Sequence, residues 1–187
     1  MFFREEWRQP TGCKMKILVV SDSHGRSDNL RRAVELNCDS DAIIHLGDGY
    51  NDLKYAGTAD IPIYRVRGNG EEFLSRINGN DVPRELFIEL DGVKILMMHG
   101  HTHSVKSGLD RAVEYALEKK ADILLFGHTH TPLERYFPEG TRVGEQICTK
   151  GFYIFNPGSI GEPRFCEPTF GLITIRDGKI LLSHGEI

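Results

Sequence analysis

Long apolar runs are missing from this 187-residue sequence. The longest, such as 17–20 and 123–126, hold four residues each, whereas a helix needs about 20 to cross a bilayer. A transmembrane helix is therefore excluded. The first residues, Met1-Phe2-Phe3, meet Arg4, Glu5, Glu6 and Arg8 at once, so the apolar segment of a secretory signal is lacking and the expected location is the cytoplasm. Cysteine is scarce, with four residues at 13, 38, 148 and 166 and no C-x-x-C pair. That spacing argues against a disulfide framework or a cysteine-rich zinc site and predicts reduced thiols. A basic excess is absent as well, since 23 Lys and Arg face 27 Asp and Glu for a net charge of −4. Such a balance does not suit a surface that neutralises many phosphates, and it leaves nucleic acid only as a possible substrate. Internal repeats and low-complexity tracts are also lacking.

What remains is the composition of an ordinary globular chain, 40% hydrophobic and 27% charged, with a length that suits one domain. Residues 1–14 carry no sustained period and read as an N-terminal extension of unassigned role, followed by a single domain over 15–187. Within it the pattern predicts strands at 16–21, 42–46 and 61–66, with a helix at about 27–37 and a short one at about 50–58. This is a βαβαβ opening with parallel strands. The Asp91-Gly92 turn predicts a hairpin of 84–90 with 93–98. A helix at about 108–120, a strand at 122–126 and a strand-rich, mostly antiparallel remainder follow. Glu139–Lys150 reads as a hairpin or contact loop. The fold class is α/β with mixed sheets.

Polar residues gather where these strands end. Asp22 and His24 follow the first, Gly47-Asp48 the second and Gly68-Asn69 the third. His99-Gly100-His101 and Gly127-His128-Thr129-His130 follow two later strands. Strand carboxyl ends line the ligand crevice of open α/β sheets, so groups far apart in sequence can converge there. Five of the eight histidines lie between 99 and 130. Imidazole, carboxylate and amide oxygen without thiolate suit borderline divalent ions, and the number of ligands suits two ions sharing a carboxylate.

In order and spacing, Asp22-x-His24, Gly47-Asp48, Gly68-Asn69, His99 and Gly127-His128-x-His130 resemble the signature of the calcineurin-like metallophosphoesterases. The likeness spans about 16–160. Asn156-Pro157-Gly158-Ser159 and the short length resemble the small YfcE-like phosphodiesterase branch. The resemblance implies a four-layer α-β-β-α sandwich. It implies that Asp22, His24, Asp48 and His130 hold one cation and Asp48, Asn69, His99 and His128 the other, with Asp48 bridging. The ions implied are two divalent metals, Mn²⁺ foremost, with Fe²⁺, Zn²⁺ or Ni²⁺ as alternatives. A bridging hydroxide would attack phosphorus in line.

The activity implied is hydrolysis of a small-molecule phosphate ester, a diester first. Alternatives are a phosphomonoesterase or protein phosphatase, and a non-catalytic protein-binding scaffold, as in a eukaryotic retromer subunit of the same branch. One block departs from the superfamily pattern: Gly70-Glu71 stands where His and an acidic residue usually follow the asparagine. His101 is the candidate to compensate, as acid or substrate contact. His45 reads as a hydrogen-bonded core residue and His184 as a surface one. His103 reads as either solvent-exposed or near the site mouth. Arg67 and Arg164 read equally well as surface charges.

Overall fold

The β-branched run near the start forms a strand buried on both faces, β1 (Met15–Val20), with Ile17, Leu18, Val19 and Val20 fully inaccessible. This is the computed structural model of the chain, and it describes residues 14–58, 60–72 and 82–187. The extension read over 1–14 falls almost wholly outside them. The next strands are β2 (Ala42–His45), β3 (Ile63–Arg65), β4 (Glu85–Leu90), β5 (Val93–Met98) and β6 (Ile123–Phe126). They are followed by β7 (Pro132–Phe137), β8 (Arg142–Val143), β9 (Gln146–Ile147), β10 (Phe152–Pro157), β11 (Thr169–Arg176) and β12 (Lys179–Glu186). Among the described residues, two α-helices of more than two turns are present, α1 (Ser27–Leu36) and α2 (Asp110–Glu118). The short helix expected at about 50–58 is a 3-10 helix, Tyr50–Tyr55. It starts after Gly49, at φ 124°, and is closed by Asp52 N–H donating to the Gly49 carbonyl at 2.8 Å.

Two five-stranded sheets result, in the orders β12-β11-β1-β2-β3 and β4-β5-β6-β10-β7. In the first, β1, β2 and β3 are parallel, as crossovers demand, and β11 and β12 add antiparallel. The second sheet differs from the antiparallel expectation at its centre, where β5, β6 and β10 are parallel. The cause is helix α2, which makes β5-α2-β6 another crossover, while β4 and β7 remain antiparallel edges. Glu139–Lys150 contains the small β8-β9 hairpin.

Alternation of side chains fixes the layers. Ile17, Val19 and Ile44 of one sheet share a core with Ile95, Met97, Ile123 and Leu125 of the other. Leu18, Val20 and Ile43 turn outward onto Leu30, Ala33 and Val34 of α1. Leu96, Met98, Leu124 and Phe126 turn outward onto Ala112, Val113 and Ala116 of α2. The order is helix, sheet, sheet, helix, so the four-layer sandwich follows from which faces are apolar. Among the described residues no helix is long and apolar enough to cross a membrane.

Candidate metal centre

The loops leaving β1, β2, β5 and β6 meet at one end of the sandwich. Asp22 N–H donates to the Gly47 carbonyl at 3.0 Å, His24 N–H to the Asp48 carbonyl at 3.1 Å, and Gly127 N–H to the His99 carbonyl at 3.1 Å. The turns are sharp. Asp22, His24, Asp48, His128 and His130 all have positive φ, between 45° and 67°. Residues other than glycine seldom occupy that region, and their clustering marks a site the fold holds under strain.

Six of the seven expected ligands form two groups, Asp22 with His24 and His130, and Asp48 with His99 and His128. In the first, Asp22 Oδ1 is 3.1 Å from His130 Nε2 and 3.8 Å from His24 Nε2, and the two imidazole nitrogens are 3.4 Å apart. In the second, His99 Nε2 is 3.3 Å from Asp48 Oδ2 and 3.1 Å from His128 Nδ1. The seventh, Asn69, opens a helical turn over 69–72 and places Oδ1 3.2 Å from His99 Nε2. His99 Nε2 also lies 3.9 Å from Asp22 Oδ1, so the groups adjoin.

Ring orientation prepares these nitrogens as ligands. His99 Nδ1 lies 2.8 Å from the Leu46 carbonyl and His130 Nδ1 lies 2.6 Å from the Glu162 carbonyl. A carbonyl only accepts, so each Nδ1 carries a proton, and in the neutral ring the free lone pair is on the inward Nε2, the tautomer a metal ligand needs. Asp22 Oδ2 accepts from Ser21 Oγ at 2.5 Å and from His128 N–H at 3.0 Å. Its Oδ1 is buried with no hydrogen-bond partner. An orphaned carboxylate oxygen facing three imidazoles is what a cation would complete, so these residues fit a divalent ion.

The electrostatics agree. Burial pushes the Asp48 carboxyl up, but His99 and the Gly70 N–H outweigh it and hold the group well below the usual carboxylate range. Burial likewise opposes ionisation of Asp22, and His130, His99 and Ser21 overcome it. Burial disfavours the charged form of His99, yet its carboxylate neighbours raise it. The nearby Asp22 carboxylate raises His130. Burial, then the nearby His99, pushes His128 down to about 4.

The turns tolerate no bulk. A Cβ on Gly127 would stand 2.0 Å from Ser21 Oγ and 2.8 Å from Asp22 Oδ2, and one on Gly68 would stand 2.1 Å from Asp48 Oδ1. Glycine is required at both by close approach, whatever its backbone angles.

Several supporting residues escaped the sequence reading. Buried Glu71 accepts the N–H groups of Asp48 at 2.9 Å, Gly68 at 2.7 Å, Tyr50 at 3.3 Å and Gly49. Asp52 accepts from Ser23 Oγ at 2.7 Å and Gly25 N–H at 2.9 Å, fixing the loop of His24. Asn156-Pro157-Gly158-Ser159, the block that resembles the small branch, reaches the site itself. Asn156 Nδ2 donates to the Gly127 carbonyl and to Thr129 Oγ1, both at 3.0 Å, and Ser159 Oγ donates to the Asp22 carbonyl at 2.8 Å.

The other histidines separate by environment. His45 is buried, as expected, and its Nδ1 accepts from Gly47 N–H at 3.1 Å, with Nε2 3.3 Å from Ser23 Oγ. Burial is the main cause that holds its pKa down to about 4. An unfolded histidine titrates near 6.5, so acid charges the unfolded chain first. The stabilisation from neutral His45 is therefore complete above about pH 6.5 and is lost as the pH falls through 4, on the order of 3 kcal/mol. By NMR, the His45 ring should keep its Nε2-protonated neutral tautomer at pH 5 in the folded chain; a ring already charged there would refute this.

His103 is neither free in solvent nor at the ligands. It packs on Tyr115, ring centroids 4.9 Å apart, with Nδ1 3.8 Å from Glu85. His184 is solvent-exposed, as expected, but tethered, with Nε2 2.8 Å from the Asn156 carbonyl and its ring stacked on Phe155. His101 stands just outside both groups. Its ring centroid is 5.4 Å from that of His99 and 6.1 Å from that of His128, and Nε2 is 3.4 Å from Glu72. Burial, then His99, lowers its pKa. Glu72 also binds Arg84 through two bonds of 2.6 and 2.8 Å and lies 3.8 Å from Arg67 Nε, so Arg67 borders the site.

Comparison with known proteins places this geometry. Residues 15–178 match the calcineurin-like phosphoesterase superfamily domain. The probable metallophosphoesterase YsnB of Bacillus subtilis is 32% identical over 151 residues, 80% of this chain and 78% of that one. Phosphodiesterase MJ0936 of Methanocaldococcus jannaschii is 29% identical over 171 residues, 85% of this chain and 92% of that one. A solved predicted phosphoesterase from Streptococcus pneumoniae TIGR4 superposes with TM-score 0.68 at 27% identity, covering 92% of this chain and 89% of that one. With its layer order, its five loop blocks and a match over most of its length, the chain belongs to the calcineurin-like phosphoesterase superfamily.

Proposed function

We propose that this protein hydrolyses phosphodiesters at a centre of two divalent cations, Mn²⁺ in the first instance. The observation that carries the reading is the pair of three-residue groups that adjoin across Asp22 and His99. Asp22, His24 and His130 would hold one ion, and Asn69, His99 and His128 the other, with Asp48 shared between them. Two bound dications supply Lewis acidity toward the phosphoryl oxygens and make water nucleophilic at neutral pH. The chain's own part is to fix the geometry beforehand, and preorganised charge of this kind stabilises developing charge without reorganisation. The Leu46 and Glu162 carbonyls aim the two Nε2 lone pairs, Gly70 N–H holds Asp48 Oδ1 at 2.7 Å, and Ser21 and His128 N–H hold Asp22.

A diester is favoured over a monoester because Gly70 stands where the superfamily usually carries a histidine. The phosphodiesterase name of the Methanocaldococcus relative accords with this. Gly70 leaves the space beside Asp48 nearly full: a Cβ there would stand 3.1 Å from Asp48 Oδ1. His101 is the remaining imidazole, and we assign its Nε2 to a substrate oxygen, in place of the long 3.4 Å contact to Glu72.

Chelation of the purified protein should abolish turnover of bis(p-nitrophenyl) phosphate, and added Mn²⁺ should restore it. Activity that persists in metal-free, folded protein would overturn the mechanism. His101→Ala should lower turnover about 10²-fold or more, in the range of a lost acid–base partner, with metal content unchanged by elemental analysis. Loss of metal in that variant would reassign His101 to the ligand set.

A further inference from the structure

The loop between β10 and β11 is tied to the ligands at several points. His130 Nδ1–H donates to the Glu162 carbonyl at 2.6 Å, and Arg164 N–H returns a bond to the His130 carbonyl at 3.1 Å. Gly161 N–H donates to the Asp22 carbonyl at 3.2 Å, and Ser159 Oγ, bonded to that same carbonyl at 2.8 Å, receives Glu162 N–H at 2.7 Å. The main chain up to residue 164 is therefore registered on the first ligand group. The next residue is Phe165.

Phe165 is the most exposed large apolar side chain among the described residues, at 101% of its full accessibility. Its φ is 62°, a conformation a bulky residue adopts at a cost of about 1–2 kcal/mol. The surrounding sequence, Glu162-Pro163-Arg164-Phe165-Cys166-Glu167-Pro168, sets a proline on either side, which restricts the loop. A fully exposed aromatic ring without a contact among the described residues, held in an unfavourable backbone conformation one residue from a bond to a ligand's own carbonyl, gains nothing for the fold they form. An ester substituent of a phosphate held by the first ligand group would leave it beside this loop.

We infer that Phe165 is a specificity-determining residue that stacks on a planar aromatic substituent of the phosphoester, a nucleobase or an aryl ring. Aromatic faces stack on one another across offset or edge-on geometries, and base–aromatic stacking tolerates any base because every base has a π-face. Arg164, next to it in the chain, is exposed and carries a positive charge. This inference rests on the phosphoesterase reading of the centre and adds the class of group the ester carries.

The test uses the full chain loaded with Mn²⁺ and turning over bis(p-nitrophenyl) phosphate, with AMP, phenyl phosphate and ribose 5-phosphate as inhibitors. In the wild type, AMP or phenyl phosphate should inhibit more tightly than ring-free ribose 5-phosphate, by roughly 5- to 100-fold, the range stacking supplies. A larger effect for AMP points to a nucleobase, and a larger effect for phenyl phosphate to a simple aryl group; both support the inference. The advantage should collapse in Phe165→Ala and persist in Phe165→Trp. If the wild type turns over the diester but does not distinguish the inhibitors, or if Phe165→Ala keeps the distinction, the inference fails while the proposed function stands. It also fails if Phe165→Ala loses metal or changes the molar mass in solution, since Phe165 would then be a structural prop or a contact between copies. If the loaded wild type turns over no diester, the functional reading itself falls.

Discussion

Asp48→Asn should leave the fold intact and empty the centre. The amide matches the carboxylate in shape, and its oxygen can still take the Gly70 N–H that now donates to Asp48 Oδ1 at 2.7 Å. What disappears is the negative charge lying 3.3 Å from His99 Nε2. Removing it also removes the cost of burying an ion, so the thermal midpoint of the metal-free chain should change little. Cation binding is different, because the shared ligand is the one both ions need. Losses around a metal ligand's supporting partners are typically 10–100-fold, and loss of the ligand itself should exceed about a hundredfold in turnover. Elemental analysis after dialysis at fixed free Mn²⁺ should fall from two ions per chain to one or none. Two ions retained with normal turnover would mean that Asp48 is not the bridge.

Glu71→Ala should have the largest effect on stability. Its carboxylate is the acceptor for four backbone donors, of Asp48, Gly49, Tyr50 and Gly68, and only 5% of the residue is accessible. A buried donor left without an acceptor costs about 1–3 kcal/mol. Water entering the space of the lost side chain would satisfy some of these groups, so the expected destabilisation is about 3–5 kcal/mol rather than the full sum. That is a large part of the 5–15 kcal/mol typical of a whole domain. The same donors frame the turn that presents Asp48, and metal affinity should fall with them. Thermal melts with and without Mn²⁺ would measure both, and Glu71→Gln, which keeps one acceptor oxygen, should fall between. A melting temperature within about a degree of wild type would show that the cradle contributes nothing.

Much of the centre was legible because ligand chemistry is written in residue types. Asp22, His24, Asp48, Asn69, His99, His128 and His130 each follow a strand, and strand exits on parallel sheets open onto one crevice. Glu71 was visible as the acidic residue that follows the missing imidazole, but its work is to accept main-chain protons, and main-chain donors leave no mark on residue identity. Asn156 and Ser159 stood out only as part of one resembling block, for the same reason. The order of the second sheet was hidden by distance: β10 lies between β6 and β7, though β7 directly follows β6 in the chain. Alternation along a strand shows which face is apolar, not which strand lies beside it. His184 looked like a simple surface group because its tethers, the Asn156 carbonyl and the Phe155 ring, are 28 and 29 positions away in sequence.

Both sheets contribute to each half of the centre. Asp22 and His24 leave the first sheet and His130 the second, while Asp48 leaves the first and His99 and His128 the second. Neither ion could be held by one sheet alone. Each would act as a rivet through the seam, and the seam could not open at that end without shedding both. Occupancy by a ligand that the unfolded chain does not bind adds about 2.7 kcal/mol at a hundred times its dissociation constant. A protein of this build would therefore be toughest when it is loaded, and a metal-free preparation would be its most fragile form.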